Sequence, residues 1–215
     1  MCFLLCHNGA RGSNEDGGDQ GEDGLTFLFS PSRVDNYASY VYNKIMKKQE
    51  GVMETSFWVL GHRVDVLSYL FRFFTVFVPE TVRNEVLAPG PRYPQRVYGY
   101  QEMFRLLEGQ GLISIRNPTR VQPQFHRAEA MALALAEEEG WWLLINEQRP
   151  LTLARQRGIK AVTVPELIVY LYQAQILSYH STANKLDGIA ANTAQIVMQA
   201  ARQSLEALAQ SHGER

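Results

Sequence analysis

Cysteine is scarce in this sequence, and only Cys2 and Cys6 are present. Together with His7 they offer three potential ligands, whereas a protein zinc site normally shows more ligands at defined spacings. The sequence therefore predicts a reduced, frayed N-terminus rather than a zinc site.

Long apolar runs are also missing, because the nearest candidate, residues 64–79, is interrupted by Asp65 and Arg72. A helix that spans a bilayer needs roughly 18–20 apolar residues. The opening MCFLLC is too short for a signal peptide and has no basic leader. We therefore expect a cytoplasmic protein that does not associate with membranes.

Neither sign of charge dominates, since the formal net charge is -1. This balance argues against a protein that coats nucleic acid, although it leaves room for a local basic groove. Several catalytic patterns are missing as well. The five histidines are scattered, and the chain has no Walker loop, dinucleotide-binding glycine turn or nucleophile elbow.

The composition divides the chain into four segments. Residues 1–25 form an acidic, glycine-rich tail that we expect to be disordered, because it cannot bury enough apolar surface to offset the entropy of ordering. Residues 26–50 predict a helical extension that begins near Ser30 and Pro31. Residues 51–178 form the main domain, and residues 181–212 predict a C-terminal amphipathic helix.

The main domain alternates between strand-like and helix-like segments. Buried strands are predicted for TVFVP, LISIRN, WWLLIN and KAVTV, and glycines end two of the helices at Gly140 and Gly158. Such alternation is typical of a parallel sheet that helices cover on both faces. We predict a three-layer α/β/α fold with a central parallel sheet, followed by a long C-terminal helix.

Polar residues follow two of the predicted strands. Glu54 ends the first strand, and Asn146 and Glu147 follow WWLLI. Ligands of open parallel sheets bind beyond the carboxyl ends of the strands, and a charge such as Glu54 between apolar segments is costly unless it is paired. Glu85 lies on the helix after TVFVP, and Glu129 begins the alanine-rich helix. Both of these also have an ordinary interpretation, as a surface acid and as a first-turn acid.

Four segments resemble, in chain order, the signatures of the PIN-domain family of metal-dependent ribonucleases. VMETSFW resembles the opening strand of that family, and VPETVRNEVL resembles its helix that carries an acid. AEAMALALA resembles a helix of small residues headed by an acid, and LLINEQRPLTLARQRGI resembles a strand that ends in acids and leads into a helix with arginine. The resemblance covers about residues 51–178.

The resemblance implies a catalytic site with Mg²⁺ or Mn²⁺, because hard divalent cations prefer carboxylate oxygens and can activate water for RNA hydrolysis. It implies catalytic roles for Glu54, Glu85, Glu129, Asn146 and Glu147, metal ligation by all of these except Glu85, and a supporting hydroxyl from Ser56. The chain departs from the family pattern at Glu54 and Asn146, where an aspartate is usual.

Two hypotheses about function follow from this resemblance. The first is a divalent-metal-dependent endoribonuclease of PIN type, and it includes the toxin of a toxin–antitoxin pair with an antitoxin-like protein as partner. The second is a catalytically weak or inactive PIN-like module for RNA binding or assembly, which the neutral Asn146 and the C-terminal helix favour.

Basic and aromatic residues interleave before the alanine-rich helix. This pattern is typical of proteins that stack and hold single-stranded RNA, although arginine and tyrosine are also common on ordinary surfaces. The residues that we predict to contact RNA are Arg92, Tyr93, Arg96, Tyr98 and Arg127.

The C-terminal segment carries one narrow apolar stripe at helical spacing. It fits a helix packed on its own domain and a seam between two subunits equally well. Because PIN domains often dimerise, we expect a homodimer. The stripe consists of Leu186, Ala190, Ala194, Val197, Ala201, Leu205 and Leu208.

Overall fold

The computed structural model describes residues 48–90, 93–120 and 127–213. The described residues include neither Arg92 nor the tail predicted for residues 1–25, which contains Cys2, Cys6 and His7. Nearly all of the predicted helical extension also lies outside them.

A central sheet of five parallel strands organises the described residues, in the order β3-β2-β1-β4-β5. The strands are β1 (Gln49–Met53), β2 (Phe74–Val78), β3 (Ile113–Ile115), β4 (Trp142–Leu144) and β5 (Ala161–Val162). Helices connect successive strands, as parallel pairing requires. The predicted α/β fold with a parallel sheet is confirmed, and it is consistent with three α/β/α layers.

Nine α-helices lie in the part of the chain that the structure describes. The first four are α1 (Thr55–Arg63), α2 (Leu67–Phe73), α3 (Glu80–Leu87) and α4 (Gly99–Gly109). The others are α5 (Arg127–Glu139), α6 (Gln148–Gln156), α7 (Val164–Gln173), α8 (Tyr179–Ile189) and α9 (Gln195–Ser211).

Local sequence explains several of these boundaries. Gly140 and Gly158 follow α5 and α6 with φ of 68° and 73°, a conformation that glycine adopts without steric penalty and that ends a helix. Thr163 begins α7 through a capping box, in which its hydroxyl accepts from the backbone N–H of Glu166. The positions of these helix ends therefore follow from the local sequence, through Gly140, Gly158 and Thr163.

The start of the sheet differs from the prediction. Gln49 and Glu50 belong to β1, where they align with Phe74 and Thr75 of β2. Assigning both residues to a helical extension that ends at residue 50 was wrong. Pairing with a strand 25 positions away in the chain decides their conformation, and local helix signals do not contain that information.

The C-terminal segment also differs from a single helix. α8 ends at Ile189, a short 3₁₀ helix covers Ala190–Asn192, and α9 starts at Gln195. The two helices pack against α7 and against each other, so most of the apolar stripe is buried within the chain. Of the two roles predicted for the stripe, the structure shows packing within the chain. The homodimer stays a prediction, and no surface is assigned to it.

One continuous apolar core surrounds the sheet. Its largest fully buried side chains include Phe57 and Trp58 of α1, Phe74 of β2 and Phe104 of α4. The Trp58 and Phe104 rings meet edge to face with centroids 5.2 Å apart. Among the described helices, none combines the length and the apolar character needed to cross a bilayer.

Candidate functional site

The two central strands, β1 and β4, mark the point where the chain reverses its direction across the sheet. From β1 the chain continues to β2 and β3 on one side, and it then crosses to β4 and β5 on the other. Open α/β sheets bind ligands in the crevice outside the carboxyl ends of such neighbouring strands. Glu54 directly follows β1, and Asn146 lies two residues beyond the end of β4.

Glu54 is a buried acid that caps α1. Its side chain is only 3% exposed, and the Ser56 backbone N–H and hydroxyl donate to its two carboxylate oxygens at 2.9 and 2.5 Å. Burial raises the pKa of Glu54 from 4.5 to about 7, and the two Ser56 hydrogen bonds oppose this increase. Without a cation nearby, burial therefore favours the protonated form of Glu54 far more than in an ordinary exposed glutamate.

Two further acids lie within electrostatic range of Glu54, and a third contacts the neighbouring residue. The negative charges of Glu147 and Glu129 both add to the increase in the Glu54 pKa, so their carboxylates lie within electrostatic range of it. Glu85 accepts a hydrogen bond of 3.1 Å from the hydroxyl of Thr55, the residue next to Glu54. The structure thus brings together acids that are up to 93 positions apart in the sequence.

Asn146 supplies a buried amide just beyond β4, the strand that pairs with β1. Its side chain is 4% exposed, and its Nδ2 donates to the Thr193 hydroxyl at 3.3 Å. Its Oδ1 is buried and accepts no hydrogen bond from the described residues. An unsatisfied buried acceptor is costly, and a ligand or cation that binds it would remove that cost. Glu147 is exposed, so the two residues after WWLLI face different surroundings, as the alternation of an extended chain predicts.

The side-chain oxygens at this edge of the sheet fit a hard cation that keeps most of its water ligands. Among the described residues, no three His, Cys, Asp or Glu side chains form a group that could hold a metal ion by themselves. The Glu54 carboxylate and the Asn146 carbonyl oxygen are hard oxygen donors, however, and Mg²⁺ usually binds through one or two carboxylates and retains several waters. The residues therefore fit an open, water-rich Mg²⁺ or Mn²⁺ site, and they do not fit a closed protein cage.

The residues predicted to contact RNA occupy two different places. Arg127 is exposed in the first turn of α5, two residues before Glu129. Arg96 lies over the Tyr98 ring at 5.3 Å, and Tyr98 stacks on Tyr100 with centroids 5.6 Å apart. The ring contacts described for this second group connect it to α1 through His62, 6.3 Å from Tyr100, rather than to the acids. Tyr93 is exposed in the preceding loop.

Two threonines that contact the predicted site were not identified from the sequence. Thr55 was visible as part of the VMETSFW segment, and its hydroxyl binds Glu85. Thr193 lies 47 residues from Asn146, in the turn before α9, and no local pattern distinguishes it. Only the tertiary structure connects Thr193 to the site.

Comparison with protein-family models and with curated proteins gave no match for this chain.

Proposed function

We propose that this protein is a divalent-cation-dependent endoribonuclease of PIN type, with its active site at the carboxyl ends of β1 and β4. One observation carries the proposal. A buried carboxylate, Glu54, and a buried amide oxygen without a partner, on Asn146, lie at the topological switch point amid additional acids.

Electrostatics supports a cation at this position. Burial and the neighbouring charges of Glu147 and Glu129 oppose ionisation of Glu54. A divalent cation would reverse this balance, since it attracts the ionised carboxylate and offsets the repulsion between the acids. The carbonyl oxygen of Asn146 would then gain the electrostatic partner that the described residues do not provide.

Hydrolysis of RNA needs a bound cation, an activated water and a contact to the RNA backbone, and residues at this site can serve each need. The water oxygen gives up a proton as it bonds to phosphorus, one phosphoester P–O bond breaks, and the leaving oxygen takes up a proton. A divalent cation, when bound, would supply a lower pKa for water and stabilisation of the charge that develops on phosphate. Glu54 and Asn146 would hold the ion, the exposed Glu147 would orient water, and Arg127 would contact the RNA backbone.

Metal binding and RNA cleavage by the full chain test the proposal. We expect purified protein to bind Mn²⁺, measured as loss of the free-ion signal in electron paramagnetic resonance. It should also cleave a labelled single-stranded oligoribonucleotide with Mg²⁺ or Mn²⁺ but not with EDTA. Glu54→Gln should abolish both activities, while Glu102→Gln, an exposed acid on α4, should retain both. Protein that neither binds Mn²⁺ nor cleaves RNA would contradict the proposal.

A second candidate is a PIN-like module that binds RNA without cutting it. It is favoured by the neutral Asn146 and by the lack of a three-residue metal-holding group among the described residues. This candidate predicts RNA binding in fluorescence anisotropy that is insensitive to EDTA. Arg127→Gln should weaken that binding, whereas Arg202→Gln on α9 should not. Cleavage that depends on Glu54 would exclude it. A toxin role and an antitoxin-like partner stay predictions under the first candidate.

A further inference from the structure

The C-terminal helices contribute one side chain to the candidate site. The turn between the 3₁₀ helix and α9 carries Thr193, whose hydroxyl accepts a hydrogen bond from Asn146 Nδ2 at 3.3 Å. Two contacts fix the position of this turn relative to α1. The Arg63 guanidinium donates to the Asn192 side chain, and Lys185 Nζ donates to the Val64 carbonyl at 2.5 Å.

The direction of this hydrogen bond has a consequence for Asn146. The oxygen and nitrogen of a carboxamide lie on opposite sides of its terminal carbon, so a nitrogen that faces Thr193 turns the oxygen away from it. That oxygen is the buried acceptor without a partner. If the amide were rotated by half a turn, the Thr193 hydroxyl could donate to its oxygen, but an NH₂ group, which cannot coordinate a cation, would then face away from Thr193. A bound cation would therefore require the orientation seen here, in which Thr193 accepts from the Asn146 Nδ2 donor.

We infer that Thr193 is a positioning residue for the candidate cation site, because its hydroxyl accepts from the buried Asn146 Nδ2 when the carbonyl oxygen is turned away from it and is available as a ligand. The inference rests on the proposed function. It assigns the C-terminal helices a role beyond packing, since a residue outside the sheet sets the orientation of a ligand at the end of β4. Partners of this kind orient metal ligands in many proteins.

A double-mutant experiment on the full chain tests this role. Thr193→Val removes the hydroxyl and keeps the shape of the side chain, and Thr193→Ser restores the hydroxyl. We expect Thr193→Val to weaken Mn²⁺ binding by about tenfold, a typical effect of losing an outer-shell partner. Thr193→Ser should bind as the unmodified protein does. Thr152→Val is the matched control, because the Thr152 hydroxyl donates only to the Gln148 carbonyl within α6.

The decisive comparison uses Asn146→Asp as a second background. In that protein the Thr193 hydroxyl would donate to a carboxylate oxygen, and the side chain has no N–H donor that needs Thr193 as an acceptor. Thr193→Val leaves a buried donor unsatisfied only in the Asn146 protein, so it should change Mn²⁺ affinity less in the Asn146→Asp protein. Unfolding midpoints in EDTA report on folding separately, and Thr193→Ala replaces Thr193→Val if the valine variant does not fold.

The outcomes distinguish this inference from the proposed function. Equal affinity of the unmodified and Thr193→Val proteins would overturn the positioning role alone. An equal loss in both backgrounds would also overturn it, because it would indicate a purely structural effect. Failure of both the unmodified and Asn146→Asp proteins to bind Mn²⁺ would overturn the proposed function and, with it, the inference.

Discussion

Replacement of the buried acid Glu54 by glutamine should change how the stability of the protein depends on pH. The folded protein holds the pKa of Glu54 at about 7, compared with 4.5 for an ordinary glutamate. Below pH 4.5 this carboxyl group is protonated in both the folded and the unfolded chain, and it does not disfavour folding. Between pH 4.5 and pH 7 the unfolded chain has largely released this proton while the folded protein still holds it, so stability falls across this window and levels off above pH 7.

The magnitude follows from the difference between the two pKa values. Each tenfold change in proton binding corresponds to about 1.4 kcal/mol, so ionisation of Glu54 lowers the free energy of unfolding by about 3 kcal/mol once the pH exceeds 7. Between pH 5 and pH 8 the loss is about 2–3 kcal/mol. Glutamine keeps the size of the side chain, can accept from the Ser56 N–H and can donate to the Ser56 hydroxyl. Glu54→Gln should therefore be more stable than the unmodified protein at pH 8 by about 3 kcal/mol.

Urea unfolding at pH 5 and pH 8 in the presence of EDTA measures this difference. Other titrating groups contribute equally to both proteins and cancel in the comparison. Glu85→Gln, an exposed acid near the same edge, is the matched control and should follow the unmodified protein. Parallel pH dependence of the Glu54→Gln and unmodified proteins would refute the argument. Added Mn²⁺ should stabilise the unmodified protein but not Glu54→Gln.

Three further changes test the site and the packing around it. Asn146→Asp adds a charge beside the proposed ion and should raise Mn²⁺ affinity by about 10- to 100-fold in titrations. This range is about 1.4–2.7 kcal/mol, which is less than the about 4 kcal/mol between two unit charges 4 Å apart at an effective dielectric near 20. Leu205 on α9 is 2% exposed, and Leu205→Ala should lower the free energy of unfolding by about 2–5 kcal/mol. Ile196 on the same helix is 64% exposed, and Ile196→Ala should change it by less than about 0.5 kcal/mol. Equal effects would exclude an intramolecular role for the stripe. Gly61→Ala would place a Cβ 2.7 Å from the side chain of Leu67 and should lower stability by about 1–3 kcal/mol. At Gly109 a Cβ would meet no atom within 4 Å, so Gly109→Ala should be neutral or stabilising in thermal unfolding.

Local patterns in the sequence were sufficient for much of the fold. Alternating apolar strands and helices predicted the parallel sheet, and Gly140 and Gly158 predicted the ends of two helices, because a positive φ at a helix end favours glycine. Glu54 was identified from its position after an apolar strand. Its burial then followed from the fold, since the carboxyl end of a central strand lies beneath the helices on both sides.

Long-range packing decided the features that local patterns could not predict. The strand conformation of Gln49 depends on pairing with β2, and the break between α8 and α9 lets both helices pack against α7. The contact between Asn146 and Thr193 joins residues 47 positions apart. The sequence alone determined which side chains could carry chemistry and on which strands they end. The tertiary structure determined which of them meet, because burial, the pKa of Glu54 and the orientation of Asn146 depend on neighbours that are distant in the chain.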